Sequence, residues 1–193
     1  VLGQTLSGNF RFEQITLAGG GRLTRVSASE VALSLGGSTP VVSVTGGSGL
    51  FVVSPAGVAG QLVANIAVKI PNVRLAGRVT VQVNNTMAAV QEADPGLGDS
   101  LDLPAGPYLR VAVGAIPPPS LPGSPTPATL EVAGQTLTGE FVLEQSTRPD
   151  GGRVVRVGAT AVRLTLGGSL AHPLLAVADG EGFFILSSAG AAG

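Results

Sequence analysis

An internal repeat is the feature that most constrains what this chain can fold into. Residues 1–38 and 132–169 align without a gap at an offset of 131, with 22 identical positions in 38. After a two-residue insertion the match resumes, so that 47–60 corresponds to 180–193. A fixed period of this kind indicates a structural module that recurs along the chain and packs on its own neighbours.

The repeat also predicts the domain boundaries. Residues 117–127 hold six prolines in 11 positions, a composition typical of a semi-rigid polyproline linker. We therefore expect 1–116 to be one unit and 128–193 to be a partial second unit equivalent to 1–60. A weaker Leu-x-Gly pattern suggests that the first unit consists of two half-units, 1–60 and 61–116.

The ends of the sequence give two further expectations. The 193 residues hold one period of 131 plus 62 more, so the second unit stops partway. We expect the chain to be a window on a longer tandem array, or a subunit whose partial unit a neighbour completes. The first residues enter an alternating pattern directly and lack the basic n-region of a signal peptide.

Apolar residues alternate with polar ones along most of the chain, which predicts β-strands. Two long alternating runs flank Pro71 and Asn72 and predict an antiparallel hairpin. The glycine-rich stretches at 19–21 and 150–152 predict matched turns, and a change of phase near Glu30 predicts a bulge or a strand boundary. We expect an all-β fold of mainly antiparallel, β-sandwich-like tandem units, with a β-solenoid as the alternative.

One region departs from this alternation. Residues 86–92 could form two helical turns at most, and 92–104 are predicted to be a loop. Four carboxylates in that loop are weak calcium candidates, because Ca²⁺ prefers oxygen ligands. Their spacing matches neither of the common calcium-binding loops, and a solvated loop is the alternative interpretation. The four candidates are Glu92, Asp94, Asp99 and Asp102.

Composition excludes several classes of protein. The chain has no cysteine, which removes disulfides, thiolate metal sites and cysteine nucleophiles. Eleven basic residues against 12 acidic ones leave no electrostatic footprint for nucleic acid. Hydrophobic residues reach 44%, too many for a disordered chain, yet no apolar run is long enough to predict a membrane span.

The sequence predicts no enzyme, no catalytic residue and no cofactor. His172 is the one histidine, and the other copy of the repeat has none at the matching place. Neither a Gly-x-Ser-x-Gly elbow nor a phosphate-binding loop occurs. We expect His172 to be an exposed residue or one at the end of a strand.

Other polar positions recur or stand out. Glu13 and Arg25 reappear as Glu144 and Arg156 in the second copy, which suggests an ion-pair ladder. The alternative is a set of exposed cross-strand contacts worth about 0.2–1 kcal/mol each. Asn84 begins an Asn-x-Thr glycosylation sequon, which has meaning only if the protein is secreted.

The recurring Gly-Gln-Thr-Leu, Glu-Gln and Leu-Gly-Gly motifs, with the stretches at 57–60, 81–86 and 105–111, resemble repeats of very large bacterial extracellular proteins. Those proteins are adhesin-like and free of cysteine. The resemblance covers nearly the whole chain except the proline-rich linker. It implies an extracellular or cell-surface location, for example in a biofilm matrix, and no activity beyond building length and presenting surfaces.

These observations lead to one expected function and one alternative. We expect a structural repeat segment of an extracellular fibre or surface stalk, whose units associate with each other or with identical subunits through β-rich contacts. The alternative is a carbohydrate- or ligand-binding β-sandwich module of an adhesin. A sugar-binding module usually exposes aromatic rings, and the chain has one Tyr, six Phe and no Trp.

Overall fold

A computed structural model describes residues 5–17, 19–36, 40–94, 99–114, 127–148, 151–169, 172–187 and 190–193. Over these ranges the chain forms thirteen β-strands and no helix. The strands are β1 (Thr5–Thr16), β2 (Arg22–Leu35), β3 (Val42–Ser54), β4 (Gly57–Ile70), β5 (Val73–Asn84), β6 (Val90–Asp94), β7 (Asp99–Leu103), β8 (Tyr108–Val113), β9 (Ala128–Val132), β10 (Gln135–Thr147), β11 (Arg153–Ser169), β12 (His172–Ser187) and β13 (Gly190–Ala192).

Eleven of these strands form one large antiparallel sheet, and β6 and β7 form a second sheet of two strands. The strands of the large sheet follow the chain as a meander from β1 to β5, continue through β8 and β9 to β10, and end at β13. The prediction of an all-β, mainly antiparallel fold is confirmed. In the described residues the two layers are unequal, since the second layer is only the β6–β7 hairpin.

The turns lie where the sequence predicts them. Ile70 pairs with Val73, so Pro71 and Asn72 are the two central residues of the β4–β5 turn. Proline presets the negative φ of the first position, and Asn72 adopts a φ of +61° at the second. The glycine-rich turns between β1 and β2 and between β10 and β11 share one hydrogen-bond pattern, as the repeat requires.

The predicted bulge is also confirmed, and it recurs in the second copy. The pairing of β2 with β3 shifts register between Ala28 and Val31, and Glu30 has a φ of +53°. Its repeat equivalent, Ala161, has a φ of +50° at the matching shift between β11 and β12. A residue with positive φ inserts one extra position and bends the strand, which explains the change of phase.

The strands β8 and β9 together occupy one position in the sheet, between β5 and β10. Val79 pairs with Val113 and Ala76 pairs with Thr129, so Gly114 and Ala128 fill the two positions between them. The register is therefore unbroken, as if Gly114 and Ala128 were consecutive. Of the predicted linker 117–127, only Pro127 lies within the described residues.

The strand register separates the large sheet into two faces. We call the side that carries β6–β7 the hairpin face; it includes Arg25, Ser27, Leu50, Val52, Ala59, Gln82, Tyr108, Glu144, Arg156, Gly158, Phe183 and Ile185. We call the other side the open face; it includes Phe12, Val26, Phe51, Val81, Val111, Leu143, Val157 and Phe184.

The core lies between the hairpin face and the β6–β7 hairpin. Leu101 and Leu103 of β7 are almost fully buried against a group of residues from β2, β3, β4 and β8. Burying a side chain of that size contributes about 1.5–3 kcal/mol. The sheet residues of this core are Leu23, Leu50, Val52, Ala59 and Tyr108.

The prediction of a loop at 92–104 is wrong, and residues 86–92, which could have formed two helical turns at most, contain none. Both segments contribute to a β-hairpin, in which Glu92 pairs with Leu101. Val90 lies against the core beside Leu101 and Leu103, while the alternate residues Gln91, Ala93 and Asp102 face outward. Apolar and polar residues alternate along these short strands, as expected for an amphipathic hairpin that packs on the large sheet. The neighbouring acidic residues obscure this pattern in the sequence.

Candidate functional site

A charged anchor fastens the β6–β7 hairpin to the large sheet. Arg25 of β2 donates from Nη1 to Glu13 of β1 at 2.9 Å and from Nη2 to Glu92 of β6 at 3.0 Å. The Arg25 side chain is only 10% exposed, so both ion pairs lie at the border of the core. Two carboxylates from different sheets thus share one guanidinium.

The hydrogen bond to Glu92 raises the pKa of Arg25 further, although burial acts in the opposite direction. The guanidinium therefore keeps its charge and serves as a fixed donor rather than as an acid or base. Removing one partner of such an ion pair lowers the stability of the fold, because the charge that remains is still shielded from water. The arrangement is suited to holding β6 in one register.

A second carboxylate of β6 is buried more deeply. Asp94 is 1% exposed, accepts a hydrogen bond from the Ser27 hydroxyl, and forms an ion pair with Arg11 at 3.4 Å. Since Glu92 and Asp94 are two residues apart in a strand, both point toward the large sheet. The hairpin is thereby attached to β1 and β2 at two successive positions.

The calcium candidates are not brought together as one set of ligands. Glu92 and Asp94 face the large sheet and bind arginines, whereas Asp102 lies on the outer side and accepts from Gln91 at 3.2 Å. The side chain of Asp99 lies outside the described residues. Within the described ranges, no group of three or more His, Asp or Glu residues is placed to hold a metal ion.

The cross-strand ion pair predicted from the repeat exists in both copies. Glu144 and Arg156 pair across β10 and β11 at 3.0 Å, as Glu13 and Arg25 pair across β1 and β2. The interpretation as exposed contacts is wrong for Arg25. Arg156 is 42% exposed, because no β6–β7 hairpin lies over it among the described residues.

Asn84 joins the two ends of the hairpin segment. Its side chain has no exposed surface, and its Nδ2 donates to the carbonyls of Ala88 at 2.9 Å and Pro104 at 2.7 Å. Its Oδ1 accepts from the backbone N–H and the hydroxyl of Thr86. A glycan needs the Asn84 nitrogen, which this fold buries, so the sequon is not accessible in the folded chain.

Tyr108 lies beside the junction of β8 with β10. It belongs to the core beneath β6–β7, and its strand β8 pairs with β10, the strand that corresponds to β1 in the sequence repeat. Burial raises the pKa of the Tyr108 hydroxyl, with a further increase from the charge of Glu144 and an opposing effect from Arg110. The phenol is therefore neutral over the physiological range and acts as a packing residue.

Two further features of the described residues are His172 and a cleft beside the hairpin. His172 is exposed at the beginning of β12, as expected. A cleft of about 440 Å³ opens beside the hairpin and is lined mainly by apolar residues, among them Leu17, Leu23, Val52 and Met87. Sequence reasoning missed the roles of Asn84 and Tyr108, since neither shows a local signal.

The whole-chain properties add two findings. None of the residues that the structure describes belongs to a helix long and apolar enough to cross a membrane. No protein-family model, no curated protein and no solved structure matches the chain, so the proposal for its function rests on its own residues and geometry.

Proposed function

We propose that this chain is a structural repeat segment of an extracellular bacterial fibre or surface stalk, in which successive units join edge to edge by β-pairing. The supporting observation is that the large sheet runs without interruption from one unit into the next. The composite strand of β8 and β9 pairs with β5 on one side and with β10 on the other. Each unit thus continues the sheet of its neighbour.

The repeat shows which edge makes this junction. β1 corresponds to β10, and β10 pairs through one edge with β11 and through the other with β8 and β9. The matching outer edge of β1 carries no strand among the described residues. An unpaired edge offers a row of backbone donors and acceptors that another strand can complete.

The hydrogen-bond pattern identifies the residues of that edge. The Leu17 N–H donates to the carbonyl of Gly21, so every second residue of β1 forms its backbone hydrogen bonds with β2. The backbone N–H and C=O groups of the residues between them point to the outer edge. By this alternation Phe12 and Gln14 direct their N–H groups outward. Their equivalents Leu143 and Gln145 pair with β8 in the junction that the structure shows.

The open face provides a second surface for association. It has no charged residue across the central part of the strands, and two of its aromatic side chains, Phe12 and Phe184, are exposed. Large apolar patches on a soluble protein commonly mark contact surfaces. Association through this face would place sheets side by side and so thicken a fibre. The extracellular or cell-surface location is proposed from the resemblance of the motifs and not from geometry.

The edge proposal is tested with Gln14→Pro, compared with Gln14→Ala. Proline removes the outward N–H without breaking a bond to β2, and alanine removes the side chain but keeps the N–H. Both variants should fold, as far-UV circular dichroism can show. In sedimentation velocity and negative-stain microscopy, the parent chain and Gln14→Ala should form elongated assemblies, and Gln14→Pro should not.

Two results would contradict the proposal. The first is a parent chain that remains a dispersed monomer up to millimolar concentration. The second is equal association of the proline and alanine variants, because Gln14→Pro removes one of the outward N–H groups and should weaken pairing at the edge of β1. Monomers that bind a polysaccharide would favour the alternative of a carbohydrate-binding module.

A further inference from the structure

The repeat makes the hairpin faces of the two units equivalent, but corresponding side chains on them differ in exposed fraction. Leu50 of the first unit is 2% exposed, whereas its repeat equivalent Phe183 is 53% exposed. Arg25 and Arg156 differ in the same sense, at 10% and 42%. At these two positions β6–β7 lies over the first unit, and no described strand lies over the second. The face of the second unit is uncovered only in part, since Val154, the equivalent of Leu23, is 1% exposed.

We infer that the hairpin face of β10, β11 and β12 is a binding surface for a two-stranded β-hairpin of the β6–β7 kind. The hairpin that fits it has two apolar side chains in the places of Leu101 and Leu103, which would cover Phe183 and Ile185. It also has a carboxylate in the place of Glu92, directed at Arg156. The first unit shows this same combination in its bound form.

The charge pattern of the surface supports a carboxylate on the partner. Arg25 uses Nη1 for Glu13 and Nη2 for Glu92. Arg156 uses Nη1 for both Glu144 and Ser146, and its Nη2 makes no hydrogen bond to a described residue. The repeat therefore retains the cross-strand pair and leaves available the nitrogen that binds the hairpin in the first unit.

The same comparison shows what the partner should lack. In the first unit Asp94 is held by Ser27 and Arg11, and the equivalents of those two residues are Gly158 and Val142. Both donors are lost together. A buried carboxylate at this position would have neither donor in the second unit, which is unfavourable. The fitting hairpin therefore has an uncharged residue in the place of Asp94.

The test extends the full chain with its own hairpin. Residues 190–193 match 57–60, so a copy of 61–114 can be appended directly after Gly193. The chain has no cysteine, which makes a single Gly158→Cys thiol a specific probe. Gly158 has open space around its Cα, whereas its equivalent Ser27 is 2% exposed beneath β6–β7.

Alkylation of the Gly158→Cys thiol should be fast in the unextended chain and at least about tenfold slower in the extended one. Ser27→Cys in the unextended chain gives the rate for a covered position. The matched control is an extended chain with Leu101→Asp and Leu103→Asp in the appended copy, in which the thiol should react fast again. Equal rates in the extended and control chains would overturn the inference.

Two further variants test the chemistry of the hairpin. Asp94→Val in the appended copy should slow alkylation relative to the unaltered copy, and Arg156→Gln in the extended chain should speed it. The inference is wrong if Asp94→Val speeds the reaction or Arg156→Gln leaves it unchanged. The inference would also be overturned if alkylation of the Gly158→Cys thiol in the unextended chain became slower as the protein concentration increased. A second copy of the chain would then cover the face.

This inference does not depend on edge pairing. Alkylation is measured at a concentration at which sedimentation shows monomers, and in the Gln14→Pro background as well. If edge pairing fails its test, the protection of Gly158→Cys by the appended hairpin is unaffected.

Discussion

Arg25 and Glu92 lie 67 residues apart in the chain, and their side chains meet at 3.0 Å to fasten the β6–β7 hairpin to the large sheet. The link is made at the border of the core, where the guanidinium is shielded from water. It connects the most acidic segment of the chain with a strand whose role in the repeat is otherwise structural. The stability of the first unit should therefore depend on it.

Glu92→Gln should destabilise the chain by about 1–3 kcal/mol, because it leaves the buried Arg25 with one anionic partner instead of two. The control is Glu131→Gln, which breaks a longer, exposed pair with Arg74 and should cost less than about 0.5 kcal/mol. Urea denaturation gives both values. Equal effects of the two substitutions would show that the anchor contributes no more than a surface pair.

Asn84→Ala should lower the free energy of unfolding by about 2–4 kcal/mol. The substitution removes the buried donor of the Pro104 carbonyl, one of the two donors of the Ala88 carbonyl, and the acceptor of the Thr86 N–H. Each buried group left unpaired costs about 1–3 kcal/mol. Asn65→Ala, at an exposed position of β4, should change stability by less than about 0.5 kcal/mol. Calorimetry of the three chains is the measurement, and a small effect at Asn84 would contradict its role at the base of the hairpin.

The stability of the fold should decrease as the pH rises above about 10, the ordinary pKa of tyrosine. The folded chain raises the pKa of Tyr108, so the unfolded chain loses its proton first and becomes favoured. The contribution of Tyr108 to the free energy of unfolding is complete below about pH 10, and it is lost as the pH rises through the pKa of Tyr108 in the folded chain. Tyr108→Phe should remove this part of the pH dependence.

The titration itself can be followed directly, because the chain has one tyrosine and no tryptophan. Absorbance of the phenolate should appear at higher pH in the folded chain than in urea. Glu144→Gln should move the folded titration to lower pH, since the charge of Glu144 contributes to the increase. A folded titration identical to that in urea would contradict the burial of Tyr108.

Gly60→Ala should destabilise the chain by about 1–3 kcal/mol, although alanine is normally no worse than glycine in a strand. The ring of Phe51 lies across Gly60, and a Cβ there would collide with it. Gly158→Ala is the matched control, because a Cβ at Gly158 meets nothing within 4 Å. It should be neutral or stabilising by up to about 1 kcal/mol.

A second substitution separates this collision from a backbone effect. Phe51→Leu removes the ring, so the cost of Gly60→Ala should fall in that background, and the two changes should not be additive. Additive costs in chemical denaturation would mean that the ring does not limit Gly60. The second unit repeats this contact between Phe184 and Gly193, which suggests that it is part of the repeat design.

Features that depend on near neighbours could be predicted from the sequence. The turn at Pro71 and Asn72, the bulge at Glu30 and the pair of Glu13 with Arg25 each follow from residues a few positions apart or from a hairpin register. Alternation, turn residues and repeat spacing are local signals, so they remain visible in a single sequence. The same signals predicted the all-β class.

Features that depend on distant partners could not be predicted. Residues 92–104 looked like a solvated loop because four carboxylates are mixed there with glycine and proline. Only the large sheet supplies the arginines that pair with the two carboxylates, Arg25 for Glu92 and Arg11 for Asp94. The same sheet supplies Leu50 and Val52, which bury the leucines of β7. The sequence showed Asn84 only as part of a sequon. Its structural role depends on acceptors at both ends of a hairpin, and one of them is distant in the chain.

The sequence by itself determined the period of the repeat, the strands and the turns, because each is encoded by side chains that act on their own backbone. The tertiary structure alone decided which faces of those strands are covered. Gly114 and Ala128 become neighbours in one strand position only because β5 and β10 hold them in a common register. Equivalent sequences thus have different surroundings: burial depends on what packs against a strand, and a repeat cannot specify that within itself.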